Sequence, residues 1–141
     1  MRDAPVTSPA THAAIDEVAH SLAPLLREAR RVLLCTHVNA DGDTLGSMLA
    51  VGLAMRQISA AQVTMVSPQL STRVYSYLPG IGDVMPSVPA GATFDAAAVF
   101  DCDQFSRVGA ELMEALGRCP VVIDVDHHPS PPFGTHHLHA L

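Results

Sequence analysis

"RVLLCTHVNADGDTLGS" (residues 31–47) is the stretch of this chain that decides the fold. It opens with a short β-rich apolar run, and the segment that follows at 43–57 is apolar on nearly every side. Such a segment predicts a buried helix, so the stretch is typical of a strand that turns directly into a helix. The turn crowds His37, Asp41 and Asp43, although like charges at close range raise each other's pKa. A group that offsets this repulsion has to come from elsewhere in the chain or from a bound ion.

The alternation of strand and helix continues on both sides of this stretch. Residues 11–31 carry apolar side chains at helical spacing, with Pro24 expected to kink or divide the helix. Further predicted elements are strands at 62–67, 95–102 and 120–128, a short helix at 71–83, and a helix at 106–118 with Ser106 as its N-cap. A Pro/Gly-rich loop is expected at 85–94, mobility at 1–10, and no full element after 128. Apolar strands alternating with helices predict an α/β fold, a parallel sheet with helices on both faces.

Composition limits the class of protein. The 141 residues are 48% hydrophobic and 16% charged, which suits one globular domain rather than a disordered chain. No apolar stretch reaches the roughly 18 residues that span a bilayer, and the N-terminus lacks the order of a signal peptide. The net charge of −6 argues against a broad grip on duplex DNA, but it leaves room for a short oligonucleotide held through metal ions. We therefore expect no membrane and no duplex DNA partner.

The cysteines indicate a compartment. Cys35, Cys102 and Cys119 are isolated and lie in or beside apolar runs. An odd number of cysteines without CxxC spacing favours reduced core thiols in a cytoplasmic protein. A zinc site through these thiols is the weaker alternative, because no two of them are close in sequence.

Acidic and histidine side chains follow three of the predicted strands. They are His37, Asp41 and Asp43 after the first strand, Asp101 and Asp103 after the third, and Asp126, His127 and His128 after the fourth. Ligands of open α/β sheets bind outside the carboxyl ends of the strands, so these groups should meet at one edge. Divalent cations would supply the missing positive charge, and carboxylates with imidazoles suit Mn²⁺, Mg²⁺, Fe²⁺ or Co²⁺. The excess of ligands suggests a pair of ions sharing a carboxylate, about 3.5–4 Å apart.

Each residue also has a simpler interpretation. Asp43 taken alone is more often a helix N-cap, and Asp103 an ordinary loop acid. The histidines after the fourth strand, His136, His137 and His139, are expected in a solvated tail. The metal hypothesis therefore depends on the three groups occurring together, in order, each after a strand.

These motifs resemble those of the DHH phosphoesterase superfamily. "THVNADGDTLGS" (36–47), "FDCDQFSRVG" (100–109) and "IDVDHHPSPPFGT" (123–135) are similar to its first, second and third motifs. The likeness is to the branch of oligoribonucleases and pAp phosphatases, also called nanoRNases or exopolyphosphatase-like proteins. It covers about Val32 to Thr135.

The resemblance implies roles for the site residues. His37 and Asp41 would hold one metal with Asp101, while Asp43 and His127 would hold the second, Asp101 bridging both. Asp126 would orient an imidazole, His128 would contact the substrate phosphate, and Arg107 would steady the loop or meet the substrate. Asp101, His127 and His128 would be the catalytic residues, with a metal-bridged hydroxide that attacks phosphorus and expels the ribose oxygen. Mn²⁺, two ions, is the implied cofactor, with Mg²⁺ or Co²⁺ as alternatives.

The sequence also departs from the family pattern. Pro131 stands where an Asn commonly follows the third motif, unless that Asn is deleted. The fourth-motif Asp and the C-terminal substrate-binding domain that relatives carry are not in this sequence, so residues 11–141 are expected to be the N-terminal part of a DHH domain. Unpaired edges of such a part favour self-association, including a homodimer.

Several functions remain open on this evidence. The expected function is manganese-dependent hydrolysis of short oligoribonucleotides or 3′-phosphoadenosine-5′-phosphate. The alternatives are a catalytically weak metal- or nucleotide-binding remnant, another DHH activity (pyrophosphatase, single-strand exonuclease or cyclic-dinucleotide phosphodiesterase), and an α/β interaction module whose acidic edge is incidental.

Overall fold

The computed structural model describes residues 9–71 and 73–140. Its helices and strands are α1 (Pro9–Arg27), β1 (Arg31–Thr36), α2 (Gly42–Ile58), β2 (Gln62–Val66), β3 (Val84–Met85), β4 (Ala96–Phe100), α3 (Ala110–Gly117), β5 (Val121–Asp126) and β6 (His136–His139). Short 3₁₀ turns precede β3 and α3, at Ile81–Asp83 and Phe105–Val108. In this part of the chain no helix combines the length and the apolar character needed to cross a bilayer.

The strands of the described residues form one sheet in the order β3-β2-β1-β4-β5-β6. Every neighbouring pair in it is parallel. The chain adds β2 and β3 on one side of β1, and then returns to add β4, β5 and β6 on the other. This arrangement confirms the predicted α/β fold with its parallel sheet.

Apolar side chains cover both faces of the sheet, as predicted. One face packs against α1 and α2, and its buried residues include Val32, Leu34, Leu45, Met48 and Phe100. The opposite face packs against α3, and its buried residues include Leu33, Val99, Val108, Leu112 and Leu116. Alternate residues of each strand serve the two faces because side chains of a strand project to opposite sides.

Several predicted boundaries were wrong. The first helix ends at Arg27 instead of residue 31, and it is not divided at Pro24, whose carbonyl accepts a hydrogen bond from Glu28 N at 2.9 Å. Residues 1–8, most of the segment predicted to be mobile, lie outside the described residues. No α-helix forms in the described part of 71–83, where Pro79 and Gly80 leave only turns and the 3₁₀ turn.

The predicted N-cap and the predicted end of the fold were also wrong. Ser106 lies within the 3₁₀ turn, and α3 begins after Gly109, whose φ of 88° separates the turn from the helix. Two strands were not predicted: β3, which has two residues, and β6, which lies in the stretch expected to hold no element. β6 pairs in parallel with β5, so the histidine-rich segment is part of the sheet.

Candidate metal centre

The carboxyl ends of β1, β4 and β5 lie side by side at one edge of the sheet. Thr36 at the end of β1 is in register with Phe100 of β4, and Phe100 is in register with Val125 of β5. The side chains that follow these three strands therefore converge, although they come from distant parts of the chain.

Asp41 holds the start of α2. Its Oδ1 accepts hydrogen bonds from the backbone N–H groups of Asp43 and Thr44, each at 3.1 Å. The bonds from the Thr44 backbone and hydroxyl lower the pKa of the Asp41 carboxyl, helped by Asp43 N. The helix cap is thus Asp41, and the interpretation of Asp43 as the cap was wrong. Asp43 lies in the first turn of α2 with its side chain 67% exposed.

A first group of atoms that could donate lone pairs to a metal ion, called the first donor group below, surrounds the buried hydroxyl of Thr44. Its Oγ1 lies 2.6 Å from Asp101 Oδ2, 3.0 Å from Asp41 Oδ1 and 3.2 Å from His37 Nε2. The structure thereby brings together the first predicted ligand set, His37, Asp41 and Asp101. A hydroxyl has a single hydrogen, so Thr44 donates to one of these acceptors at a time.

The backbone sets the tautomer of His37. Its Nδ1 lies 2.8 Å from the carbonyl oxygen of Val38, which can only accept, and 3.3 Å from Arg107 NH2, which can only donate. The shorter contact assigns the proton to Nδ1, which donates it to Val38 O. Nε2 then presents a lone pair to the donor group, as a metal-ligating imidazole does. The ring is buried, which keeps that orientation fixed.

A second group of donor atoms lies around His127 Nε2. It is 3.0 Å from Asp101 Oδ1 and 3.7 Å from Asp43 Oδ2. These are the three residues of the second predicted ligand set. The group is more open than the first, since the His127 side chain is 58% exposed.

Asp101 links the two groups. Its Oδ2 contacts the Thr44 hydroxyl of the first group, and its Oδ1 contacts His127 of the second. The backbone of Asp101 has a φ of 53°, an uncommon value for a residue other than glycine, and its N–H donates to Val125 O at 2.8 Å. This conformation, held by β5, turns the carboxylate between the two groups.

Asp126 organises the turn after β5. Its buried Oδ1 accepts from His127 N, His128 N and His128 Nδ1, at 2.7, 3.2 and 2.7 Å. Burial opposes ionisation of the carboxyl, but these hydrogen bonds outweigh it and lower the pKa of Asp126. The same contact raises the pKa of His128. Asp126 therefore orients His128, whose Nδ1 also lies 3.5 Å from Asp101 Oδ1.

Arg107 is a positively charged side chain that lies next to the first donor group. It pairs with Asp103 at 2.6 Å, which raises the pKa of Arg107 and lowers that of Asp103. Its carbonyl oxygen accepts from Val38 N at 2.8 Å, and its NH2 lies 3.3 Å from His37 Nδ1. Arg107 and Asp103 thus brace the loop that carries His37 and stand beside the donor groups.

The chemistry of these groups fits divalent cations. Each group combines carboxylate oxygens with one imidazole nitrogen and contains no thiolate, a set that suits Mn²⁺, Mg²⁺ or Co²⁺. In the first donor group the one hydrogen of the Thr44 hydroxyl is shared among three nearby atoms with lone pairs, a deficit of hydrogens that a cation would remove. An open cleft of about 340 Å³, lined by Asp43, Asp101, His127, Val125 and Leu138 among others, adjoins the second group.

Three residues of this region were not predicted from the sequence to belong to a site. Thr44 lies within the helix predicted at 43–57, and its hydroxyl contacts all three side chains of the first donor group. Asp124 was counted within an apolar strand, yet its carboxylate is buried. His139 was placed in a solvated tail, and this was wrong: its side chain is 13% exposed and its Nε2 lies 2.8 Å from Asp124 Oδ2. The two-residue spacing of Asp124 and Asp126 was the available signal for a shared face.

Comparison with known proteins agrees with the fold and the motifs. The sequence profile described as the DHH family, N-terminal domain, matches residues 31–139. A bifunctional oligoribonuclease and PAP phosphatase, NrnA of Thermus thermophilus, is 31% identical over 111 residues, which are 78% of this chain and 31% of that protein. The crystal structure of an exopolyphosphatase-related protein from Bacteroides fragilis superposes with a TM-score of 0.68 at 18% identity, covering 97% of this chain and 40% of that chain. The chain thus spans about a third of the curated relative.

Proposed function

This chain belongs to the DHH family, and from that membership we propose that it is a metal-dependent phosphoesterase that hydrolyses short oligoribonucleotides or 3′-phosphoadenosine-5′-phosphate. The name of the curated relative supports this class of substrate. The carboxylate of Asp101 carries the proposal, because its two oxygens reach two separate groups of ligand-type side chains.

Two divalent cations, Mn²⁺ with Mg²⁺ or Co²⁺ as alternatives, are the proposed cofactors. His37, Asp41 and Asp101 would hold one of them, and Asp43, Asp101 and His127 the other. Such cations, when bound, acidify a water and neutralise the charge of a phosphoryl oxygen. Without them, the carboxylates of this edge would repel a phosphate.

The remaining residues position the site and the substrate. Asp126 fixes His128 through Nδ1, which leaves His128 Nε2 to donate to a phosphate oxygen. The raised pKa of His128 favours the protonated ring, which is the form that donates. Arg107 holds the His37 loop through its carbonyl and its pairing with Asp103. The cleft beside His127 would receive the ester, with Val125 and Leu138 as its apolar wall.

The decisive experiment compares Asp101→Asn with a matched control, Asp103→Asn. Both remove one negative charge from the end of β4, but Asp103 pairs with Arg107 instead of joining the donor groups. We expect calorimetry to show Mn²⁺ binding to the native chain and to Asp103→Asn, with binding at both groups lost in Asp101→Asn. Hydrolysis of pAp or a ribodinucleotide is expected to follow the same pattern. Unchanged Mn²⁺ stoichiometry in Asp101→Asn would refute the assignment.

A second candidate function is binding of metal and nucleotide without efficient turnover. The openness of the second group favours it, since Asp43 and His127 are 67% and 58% exposed and lie 3.7 Å apart. If the native chain binds Mn²⁺ but releases no nucleoside monophosphate from pAp, this second function is the correct one.

The proposal extends to partners and location. Residues 11–141 are the N-terminal part of a DHH domain, acting in the cytoplasm on a short nucleotide substrate, without a membrane or duplex DNA partner. Association into a homodimer is included, because β6 is an edge strand of the sheet in the described part of the chain.

A further inference from the structure

A second cluster of ligand-type side chains lies on β5 and β6, next to the donor groups of Asp101, with Asp126 common to both. Asp124 and Asp126 alternate along β5 and therefore project to one face of the sheet. In the parallel register Asp124 faces His137 and Asp126 faces His139 of β6. The patterns D-x-D and H-x-H thus place two carboxylates and two imidazoles on the same face, the one that packs against α3 through Val122.

Three members of this cluster are close and shielded from water. Ligand atoms of Asp124, Asp126 and His139 all lie within 4.8 Å of one another. The side chains of Asp124 and Asp126 are 1% and 0% exposed. His137 is exposed, and its ring meets that of His139 edge-on with centroids 6.0 Å apart.

The hydrogen bonds leave one oxygen of Asp124 without a partner. Asp124 Oδ2 accepts from Phe133 N at 3.2 Å and contacts His139 Nε2 at 2.8 Å. Asp124 Oδ1 is buried and has no hydrogen-bond partner within the described residues. Leaving a buried carboxylate oxygen without a hydrogen-bond donor costs free energy, so a proton or a cation at Asp124 Oδ1 would stabilise the fold.

Asp126 also has one oxygen to spare. Its Oδ1 already accepts three N–H groups of the turn, whereas Oδ2 has the Ser130 hydroxyl at 3.5 Å. Oδ2 is therefore the oxygen that Asp126 can offer to a ligand near Asp124. Ligand atoms of the two carboxylates lie within 4.8 Å of each other, so a cation bound by both would offset their repulsion.

We infer that Asp124, Asp126 and His139 bind a divalent cation of the class that accepts mixed carboxylate and imidazole ligands. The set has the same make-up as the first donor group, two carboxylates and one imidazole, and Zn²⁺ serves as the probe ion because it accepts both kinds of ligand. The ion would satisfy Asp124 Oδ1, neutralise the two carboxylates and fasten β6 to β5. It would act on the proposed phosphoesterase only through Asp126, which also orients His128.

The test uses Zn²⁺ alone on the metal-stripped chain and counts bound ions by equilibrium dialysis and elemental analysis. Asp124→Asn and His139→Gln are expected to bind one Zn²⁺ fewer than the native chain. His136→Gln is the matched control, because His136 lies one position away on β6 and bonds the Thr135 hydroxyl instead of the cluster. Asp43→Asn, which alters the second donor group, is expected to keep the ion of this cluster.

Thermal unfolding separates loss of the ion from loss of the fold. Asp124→Asn keeps the shape of the side chain and removes a buried charge, so the metal-free variant should melt at the native temperature or above it. The rise in Tm on adding Zn²⁺ should be smaller than in the native chain by the contribution of one ion. Equal zinc stoichiometry in the native chain, Asp124→Asn and His139→Gln would overturn the inference.

Discussion

The hydroxyl of Thr44 shows how one small side chain can hold the proposed site together. It is fully buried at the second position after Gly42, the first residue of α2, and it contacts an atom of His37, Asp41 and Asp101. Its single hydrogen makes one hydrogen bond at a time, and the two carboxylates, at 2.6 Å for Asp101 Oδ2 and 3.0 Å for Asp41 Oδ1, are the nearer acceptors. In the absence of a cation, this bond limits the repulsion between the acceptors.

Thr44→Val tests this role at constant shape. We expect the variant to lose about 1.5–3 kcal/mol in free energy of unfolding in EDTA, since a hydrogen bond to a carboxylate contributes about that much. Urea denaturation measures the loss, and Thr44→Ser, which keeps the hydroxyl, should be more stable than Thr44→Val. The rise in stability on adding Mn²⁺ should persist in Thr44→Val, because all the proposed ligands remain. A variant as stable as the native chain in EDTA would contradict the role of the hydroxyl.

At the level of single residues, the sequence indicated the candidate metal ligands but not the side chains that hydrogen-bond to them or lie beside them. His37, Asp43, Asp101 and His127 could be proposed because each follows a strand and its side chain favours a cation. Thr44 could not, since a threonine in a helix carries no such signal. Asp124 was concealed by the apolar residues around it, and its burial depends on a partner, His139, that belongs to a strand the sequence did not show.

Among the elements, β6 shows why local patterns failed at the end of the chain. Its sequence, HHLH, has one apolar residue, and the prolines before it favour a loop. The strand forms because β5 offers an open edge: Thr135 N donates to Val122 O at 2.8 Å, and Ala140 N donates to Asp126 O at 3.0 Å. The long apolar strands were predictable from their own residues, whereas β6 depends on a neighbour.

The start of the sheet depends on a carboxylate that joins two strands. Asp95, just before β4, accepts from Arg31 N at 2.9 Å and Arg30 N at 3.2 Å, and Arg31 NH2 lies 3.2 Å from its other oxygen. These bonds, with that from the Arg31 backbone the strongest, hold the pKa of Asp95 below its ordinary value of 3.8. The ionised carboxylate therefore stabilises the N-terminal ends of β1 and β4, where the two strands begin to pair.

Asp95→Asn should make the free energy of unfolding depend less on pH in the acid range. Because the folded pKa is lowered, the contribution of Asp95 is present above pH 3.8 and is lost as the pH falls through the folded value. We expect the variant to unfold at lower urea than the native chain at pH 7, and the difference to shrink as the pH falls below 3.8. Glu17→Gln, on the exposed surface of α1, controls for the loss of one charge. A difference that stays constant with pH would contradict the assignment.

Over the whole molecule, the charges leave little for a phosphate backbone to bind. The net charge is −6, with eight basic side chains against fourteen acidic ones. In the described part of the chain, five arginines are paired with carboxylates: Arg27, Arg31, Arg56, Arg107 and Arg118. Arg107 lies beside the donor groups, and it is already paired with Asp103. A nucleotide would therefore meet a negative edge unless cations are bound there.

Binding of a short ribo-oligonucleotide should consequently require a divalent cation and respond weakly to monovalent salt. Fluorescence anisotropy with a labelled oligonucleotide should show binding in Mn²⁺ and none in EDTA. For single strands, each phosphate neutralised by a basic side chain contributes about −0.7 to the slope of log K against log salt concentration. The measured slope should therefore be no steeper than about −0.7, the value for one such contact. Arg107→Gln, which removes the nearest cation, should flatten the slope without abolishing binding. Salt-sensitive binding of duplex DNA in EDTA would instead require a basic surface that the paired arginines do not provide.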